Sequence, residues 1–192
     1  MKADADKYFG YIRQSFPIAE VSGKDLTIKR YGYNPAWGAT YLQYSAPMSE
    51  VSKADSDVIS IEKKFYRYGE DGVLESVPAT EFRLGDKIQV RLTVNVTKDM
   101  NYVALTDERP AAFEPVDQVP VYDWRDGIYT LRETRDSSTN IFISGLPKGT
   151  FILKYDVYVN NAGTFSSGIA EIQCQYAPQM VAHSAGAVIT CK

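Results

Sequence analysis

The sequence predicts an all-β fold, an antiparallel β-sandwich with minor short helices, on three observations. Apolar residues recur at every second position in the longest patterned segments, turn-forming clusters interrupt them at short intervals, and helical spacing is scarce. A chain of 192 residues with 44% hydrophobic content is long enough for one full core, or for one domain and part of another.

Taken in order, ADADKYFGYIRQSF (3–16) fits one short amphipathic helix, weakened at Gly10 by about 1 kcal/mol relative to alanine. LTIKRY (26–31) is a short strand candidate. WGATYLQY (37–44) also alternates, which favours Trp37 as a core residue. MSEVSKADS (48–56) reads as one more helical turn or two, and the small, polar, charged SKADSDV (52–58) as a junction. The division expected is therefore 1–57, a trailing segment of a preceding unit, and 58–192, the β-sandwich.

Within the second unit, IQVRLTVNV places Ile88, Val90, Leu92, Val94 and Val96 on one face and Gln89, Arg91, Thr93 and Asn95 on the other, the alternation of a half-buried strand. FILKYDVYVN repeats it with Phe151, Leu153, Tyr155, Val157 and Val159 inward. TNIFISG (139–145) and IAEIQCQY (169–176) are shorter strands of the same kind, and YVALTDE (102–108) opens as one. Turn signals stand at Tyr68–Gly72, Leu84–Asp86, Asp126–Gly127, Pro147–Gly149 and Asn160–Gly163.

Composition excludes several functions. The net charge is -3 and the 21 basic residues are scattered, so no positive stripe is available to a phosphate backbone and no nucleic-acid partner is expected. No run approaches the roughly 18 apolar residues that cross a bilayer. MKADADKYFG has neither the apolar core nor the cleavage site of a signal peptide. It reads as the interior of a longer chain, so its lack of a leader carries no information about compartment.

Sites for catalysis, metals and cofactors are not found. His183 is the single histidine, read as a strand-edge or loop residue, and glycines form neither a dinucleotide fingerprint nor a P-loop. No cofactor, metal site or enzymatic activity is expected. Asp123 with Asp126, or Asp107 with Glu108, could be imagined as an acid/base pair or a calcium corner. The preferred reading makes DWRDG (123–127) a turn capped by its own carboxylates and lets Asp107 and Glu108 close a strand, because such carboxylates readily bond their own backbone. Asn95-Val96-Thr97 fits a glycosylation acceptor but carries no functional weight. Cys174 and Cys191 could pair in an oxidising compartment; the alternative, favoured here, is a small buried Cys174 and a Cys191 on a frayed end. Fourteen Tyr, eight Phe and two Trp are the more unusual feature. Trp124 is open between a sandwich-sealing residue and an exposed aromatic contact.

FYRYGEDG (65–72), FRLGDKIQVRLTVNV (82–96), YVALTDERPAAFEPVD (102–117), TRDSSTNIFISGLPKGTFILKYDVYVNNAGTFSSG (134–168) and IQCQYAPQMVAHSAG (172–186), in that order, resemble the C-terminal macroglobulin-like domain of bacterial alpha-2-macroglobulins, most of all the Bacteroidetes versions. NPAWGATYLQYSAP (34–47) resembles the segment that follows the thioester domain in those proteins. The resemblance implies a macroglobulin-like sandwich in a very large secreted or membrane-anchored protein that traps proteases at the cell envelope. Implied partners are the thioester domain of the same parent chain and the target proteases; any membrane attachment would be a lipid anchor elsewhere in the parent. The alternative function is a carbohydrate-binding or adhesive sandwich of a surface protein.

Members of this family use a thioester between a Cys and a Gln three residues later. Ala177 stands three past Cys174, so the resemblance places any reactive centre upstream. The family's last domain helps keep water off that bond. Its Tyr-containing turn matches Gln175-Tyr176-Ala177-Pro178, which makes Gln175, Tyr176 and Pro178 the implied shielding residues. A glutamine stands where the family often has methionine. In ERPAAFEP (108–115) the family writes glycine where Ala112 stands, and Phe113 is implied as an anchor pinning a long inter-sheet connection to the core.

Overall fold

The computed structural model describes residues 12–25, 27, 29, 33, 35, 38, 40, 41 and 43–192. The chain divides into two compact units, residues 1–43 and 44–192. In the first, the described residues form one four-residue helix, α1 (Ile18–Val21). The helix expected at 3–16 lies largely outside the described residues, and Ile12–Phe16 carry no regular structure. The strand expected at 26–31 and the core role of Trp37 likewise fall outside them.

The second unit opens with a single 3-10 turn (Met48–Glu50) and continues as thirteen strands: β1 (Ile59–Arg67), β2 (Glu81–Phe82), β3 (Lys87–Val96), β4 (Met100–Glu108), β5 (Phe113–Pro115), β6 (Val121–Arg125), β7 (Ile128–Thr134), β8 (Ser138–Leu146), β9 (Gly149–Val159), β10 (Gly163–Ser166), β11 (Ala170–Cys174), β12 (Val181–His183) and β13 (Val188–Cys191). They make a four-stranded sheet β1-β3-β9-β5, a six-stranded sheet β12-β11-β4-β8-β7-β6 and a small sheet β10-β13-β2. Every pairing is antiparallel except β13 with β2. The antiparallel sandwich expected from the alternation is the fold observed.

Alternation explains the layers. In β3 each of Ile88, Val90, Leu92, Val94 and Val96 is buried, and Phe151, Tyr155, Val157 and Val159 of β9 lie beside them. The other wall supplies Val103, Leu105, Ile128, Ile141, Ile143, Ala170 and Ile172. Apolar side chains from both walls interdigitate and are withdrawn from water, at about 25 cal/mol per Å² of apolar area. Phe65, Phe82 and Phe113 meet edge to face, with centroids 5.6–6.3 Å apart, so the small sheet joins the same core through Phe82.

Three local readings change. DWRDG is not a five-residue turn: Asp123, Trp124 and Arg125 belong to β6, and the turn is Asp126-Gly127 alone, with φ of 53° and 79°. Two successive positive φ values suit the right-handed twist of a tight hairpin, and Asp-Gly is a favoured pair for it. Cys191 is not frayed but buried in β13, and both cysteines are free thiols. Residues 44–57 group with the sandwich: Ala54 exchanges backbone bonds with His183, and the Gly186 N–H donates to the Val51 carbonyl.

Candidate functional site

The outer face of the six-stranded sheet is the most unusual surface. Tyr122 and Trp124 of edge strand β6, Tyr129 of β7, Phe142 of β8 and Tyr102 of β4 are all exposed, the last three because they occupy the outward positions of strands whose alternate residues fill the core. Pairing puts Trp124 opposite Tyr129. The flanking registers Thr130 to Ile143 and Ile143 to Val103 carry that row on through Ser144 to Tyr102. It ends at Gln175, whose N–H donates to the Tyr102 carbonyl. Four strand spacings of about 4.8 Å separate Trp124 from Gln175, roughly 19 Å. The sequence treated these residues as two unrelated candidates; the topology sets them on one face.

At one end of the row, the turn between β11 and β12 presents Tyr176, which is 81% exposed. Gln175 and Pro178 beside it are exposed too. The turn is built from local bonds: the Ala177 N–H donates to Cys174 O, the Met180 N–H to Ala177 O, and the Gln173 amide to Pro178 O. Tyr102 supports the Tyr176 ring edge to face at 5.3 Å. Tyr102 itself holds φ at 55°, a left-handed conformation that costs a non-glycine residue about 1–2 kcal/mol. At the other end Tyr122 stacks on Tyr129 at 5.8 Å, and Trp124, 70% exposed, tilts against Tyr129 at 6.5 Å. Phe113, in β5, is 3% exposed and touches both other rings of the phenylalanine triad. Ala112 beside it is buried, and among the described residues only Tyr102 and Asp126 are non-glycines at positive φ, so no glycine is required there.

Beneath this face lies a buried polar cluster that the strand-end reading of Asp107 missed. Lys63 of β1 donates from Nζ to Asp107 Oδ1 at 2.5 Å, to the Glu108 carbonyl at 2.7 Å and to the Ser167 carbonyl at 2.9 Å. The Tyr155 hydroxyl donates to Asp107 Oδ2 at 2.6 Å. The Lys63 and Asp107 side chains are 2% and 0% exposed. Burial pushes the Asp107 carboxyl above its ordinary range, while the charge and hydrogen bond of Lys63, then Tyr155 and Arg109, pull it back. Burial, and then the neighbouring carboxylate, drives the Tyr155 phenol well above its usual value, so it stays a donor. Arg109 donates to Thr139 Oγ1 and to the Arg135 and Asp136 carbonyls, tying the β7–β8 turn to the end of β4. A sequence signal existed: Lys63 follows Ile59 and Ile61 in the inward set of β1, Asp107 follows Val103 and Leu105 in β4, and Tyr155 follows Phe151 and Leu153 in β9. Three polar side chains at inward positions had to meet one another.

Elsewhere a cleft of about 410 Å³ opens between the β6–β7 hairpin and β9, lined by Asp123, Thr130, Arg132, Phe151, Leu153 and Lys154 among others. Its charges are largely paired, Arg132 with Asp117 at 2.8 Å and Arg125 with Asp123 at 3.4 Å. His183 sits in edge strand β12, its Nδ1 3.1 Å from the Ser184 carbonyl. No group of His, Cys, Asp and Glu able to hold a metal occurs among the described residues, and none of their helices is long and apolar enough to cross a membrane.

The family model for the bacterial alpha-2-macroglobulin MG10 domain matches residues 59–179. No curated protein matches the chain. Among solved structures, Salmonella alpha-2-macroglobulin reacted with methylamine is 21% identical with a TM-score of 0.60, over 76% of this chain and 10% of that one. Native Escherichia coli alpha-2-macroglobulin from domain MG7 to the C-terminus is 19% identical with a TM-score of 0.61, over 76% of this chain and 25% of that one. The trypsin-activated E. coli protein is 18% identical with a TM-score of 0.60, over 77% and 11%. The chain thus spans about a tenth of the full-length relatives and shares their fold over three quarters of its own length. It belongs to the bacterial alpha-2-macroglobulin family, with its MG10 domain, typically non-catalytic, at residues 59–179.

Proposed function

We propose that the chain is the C-terminal interaction domain of a large, protease-trapping alpha-2-macroglobulin of Bacteroidetes type, located at the cell envelope, and that it has no catalytic role of its own. In this reading the turn at Gln175, Tyr176 and Pro178 packs on the thioester domain and keeps nucleophiles from the thioester until a protease cuts the parent chain. A thioester survives in water only beneath a cover that excludes nucleophiles. The observation that carries the proposal is Tyr176, an 81% exposed aromatic on a turn and held edge-on by a backbone-strained Tyr102. Strain of this kind persists where the surroundings enforce it and concentrates at working sites. In the purified parent, Tyr176→Ala should speed thioester loss to added methylamine by an order of magnitude or so; an unchanged rate would remove Tyr176 from the cover.

A second reading rests on the Tyr122, Trp124 and Tyr129 array, whose exposed rings suit stacking on a sugar or an adhesive contact. Glycan-array binding abolished by Trp124→Ala would favour it over the interdomain role.

A further inference from the structure

We propose that Lys63 and Asp107 join in an intramolecular amide: Nζ of Lys63 attacks Cγ of Asp107, water leaves, and the two sheets of the sandwich become covalently linked. The two residues come from strands of opposite sheets, β1 and β4, and their side chains are almost wholly sealed from solvent. Their atoms are already at contact distance, Nζ to Oδ1 being 2.5 Å. Holding reactants in this way replaces a bimolecular encounter by a unimolecular step.

The surrounding bonds suit the chemistry. When the proton shared with Oδ1 passes to the carboxylate, the ion pair becomes a neutral amine and a neutral acid. The two remaining N–H groups stay donated to the Glu108 and Ser167 carbonyls at 2.7 and 2.9 Å, which leaves the nitrogen lone pair on the Asp107 side. The neutral amine is the nucleophilic form, and the Phe65 ring 5.3 Å from Nζ adds to the dry wall around it. On attack the C–N bond forms and negative charge gathers on Oδ2, where the Tyr155 hydroxyl at 2.6 Å stabilises it. Burial keeps that phenol protonated through the step. Oδ1 already carries one proton; it takes a second from the nitrogen and departs as water, while Oδ2 becomes the amide oxygen. No oxidant or cofactor is needed.

There is also a driving force. Two charges in this interior each carry a desolvation penalty, and the amide carries neither charge. Gly168 maintains the niche: at φ 67° it brings the Ser167 carbonyl to Nζ, and a Cβ on it would collide with the Glu108 backbone.

The test is the intact mass of the purified, denatured chain. The proposal expects a mass below the sequence value by one water, and a digest in which the peptides holding Lys63 and Asp107 run as one species uncut at Lys63. Lys63→Arg and Asp107→Ala should each restore the full mass, a readout that does not depend on their folding. Tyr155→Phe should give a mixture of linked and unlinked chains. A wild-type chain at full sequence mass, or a water loss that persists in Lys63→Arg, overturns the proposal. Complete, wild-type-rate linkage in Tyr155→Phe overturns the role given to the phenol.

Discussion

Replacing Phe113 by alanine is the sharpest probe of how the connection after β4 is held. Phe113 is 3% exposed, and its ring meets Phe65 at 5.6 Å and Phe82 at 5.7 Å, both edge to face. Withdrawing such a side chain from water contributes about 1.5–3 kcal/mol. Each aromatic contact adds about 0.5–1.5 kcal/mol. Their sum agrees with the 3–5 kcal/mol or so that Phe→Ala costs in packed cores, where the residual cavity adds to the transfer loss. For a domain of this size each kcal/mol moves the melting temperature by about 2–4 °C, so a fall of about 6–20 °C is expected. Thermal melting followed by near-ultraviolet circular dichroism measures it. Phe113→Leu, which keeps most of the volume but forfeits both ring contacts, should lose about 1–3 kcal/mol, less than the alanine variant. A Phe113→Ala protein melting within about 2 °C of the parent would refute the anchor.

Three further outcomes are expected. Arg109→Met removes the donors to Thr139 and to the Arg135 and Asp136 carbonyls, costing about 2–3 kcal/mol and speeding amide exchange across Asp136–Thr139; unchanged exchange there would contradict the tie. Gly186→Ala drives a Cβ into the Met48 carbonyl, costing about 1–3 kcal/mol and exposing residues 44–57 to limited proteolysis before the sandwich is cut. Ala112→Gly, which restores the residue the family writes, should destabilise rather than stabilise, by about 0.4–1 kcal/mol in urea melts, because Ala112 does not use a positive φ.

The legible parts of the fold were those where one physical signal acted alone. β3 and β9 alternate without interruption, and their inward residues are the core. β6 and β7 were obscured because Asp123, Arg125 and Asp126 give the hairpin the composition of a loop, although the two-residue Asp-Gly turn between them is a strong hairpin signal. Asp107 was placed at its strand end correctly but read as a strand-closing carboxylate bonded to its own backbone; carboxylates are so seldom fully buried that only its in-phase position with Lys63 and Tyr155 marks the cluster. The link between Tyr176 and Trp124 was invisible, since it depends on β4, β7 and β8 lying between them in an order that no local pattern encodes.

Hydrogen exchange of the intact parent protein, before and after protease treatment, tests the interdomain reading most directly. Slow exchange across Cys174–Met180 and around Tyr102 in the native parent, released on cleavage to the rates of the isolated domain, is the outcome this reading requires. Exchange there that is equally fast in native parent, cleaved parent and isolated domain would mean that nothing packs on this face.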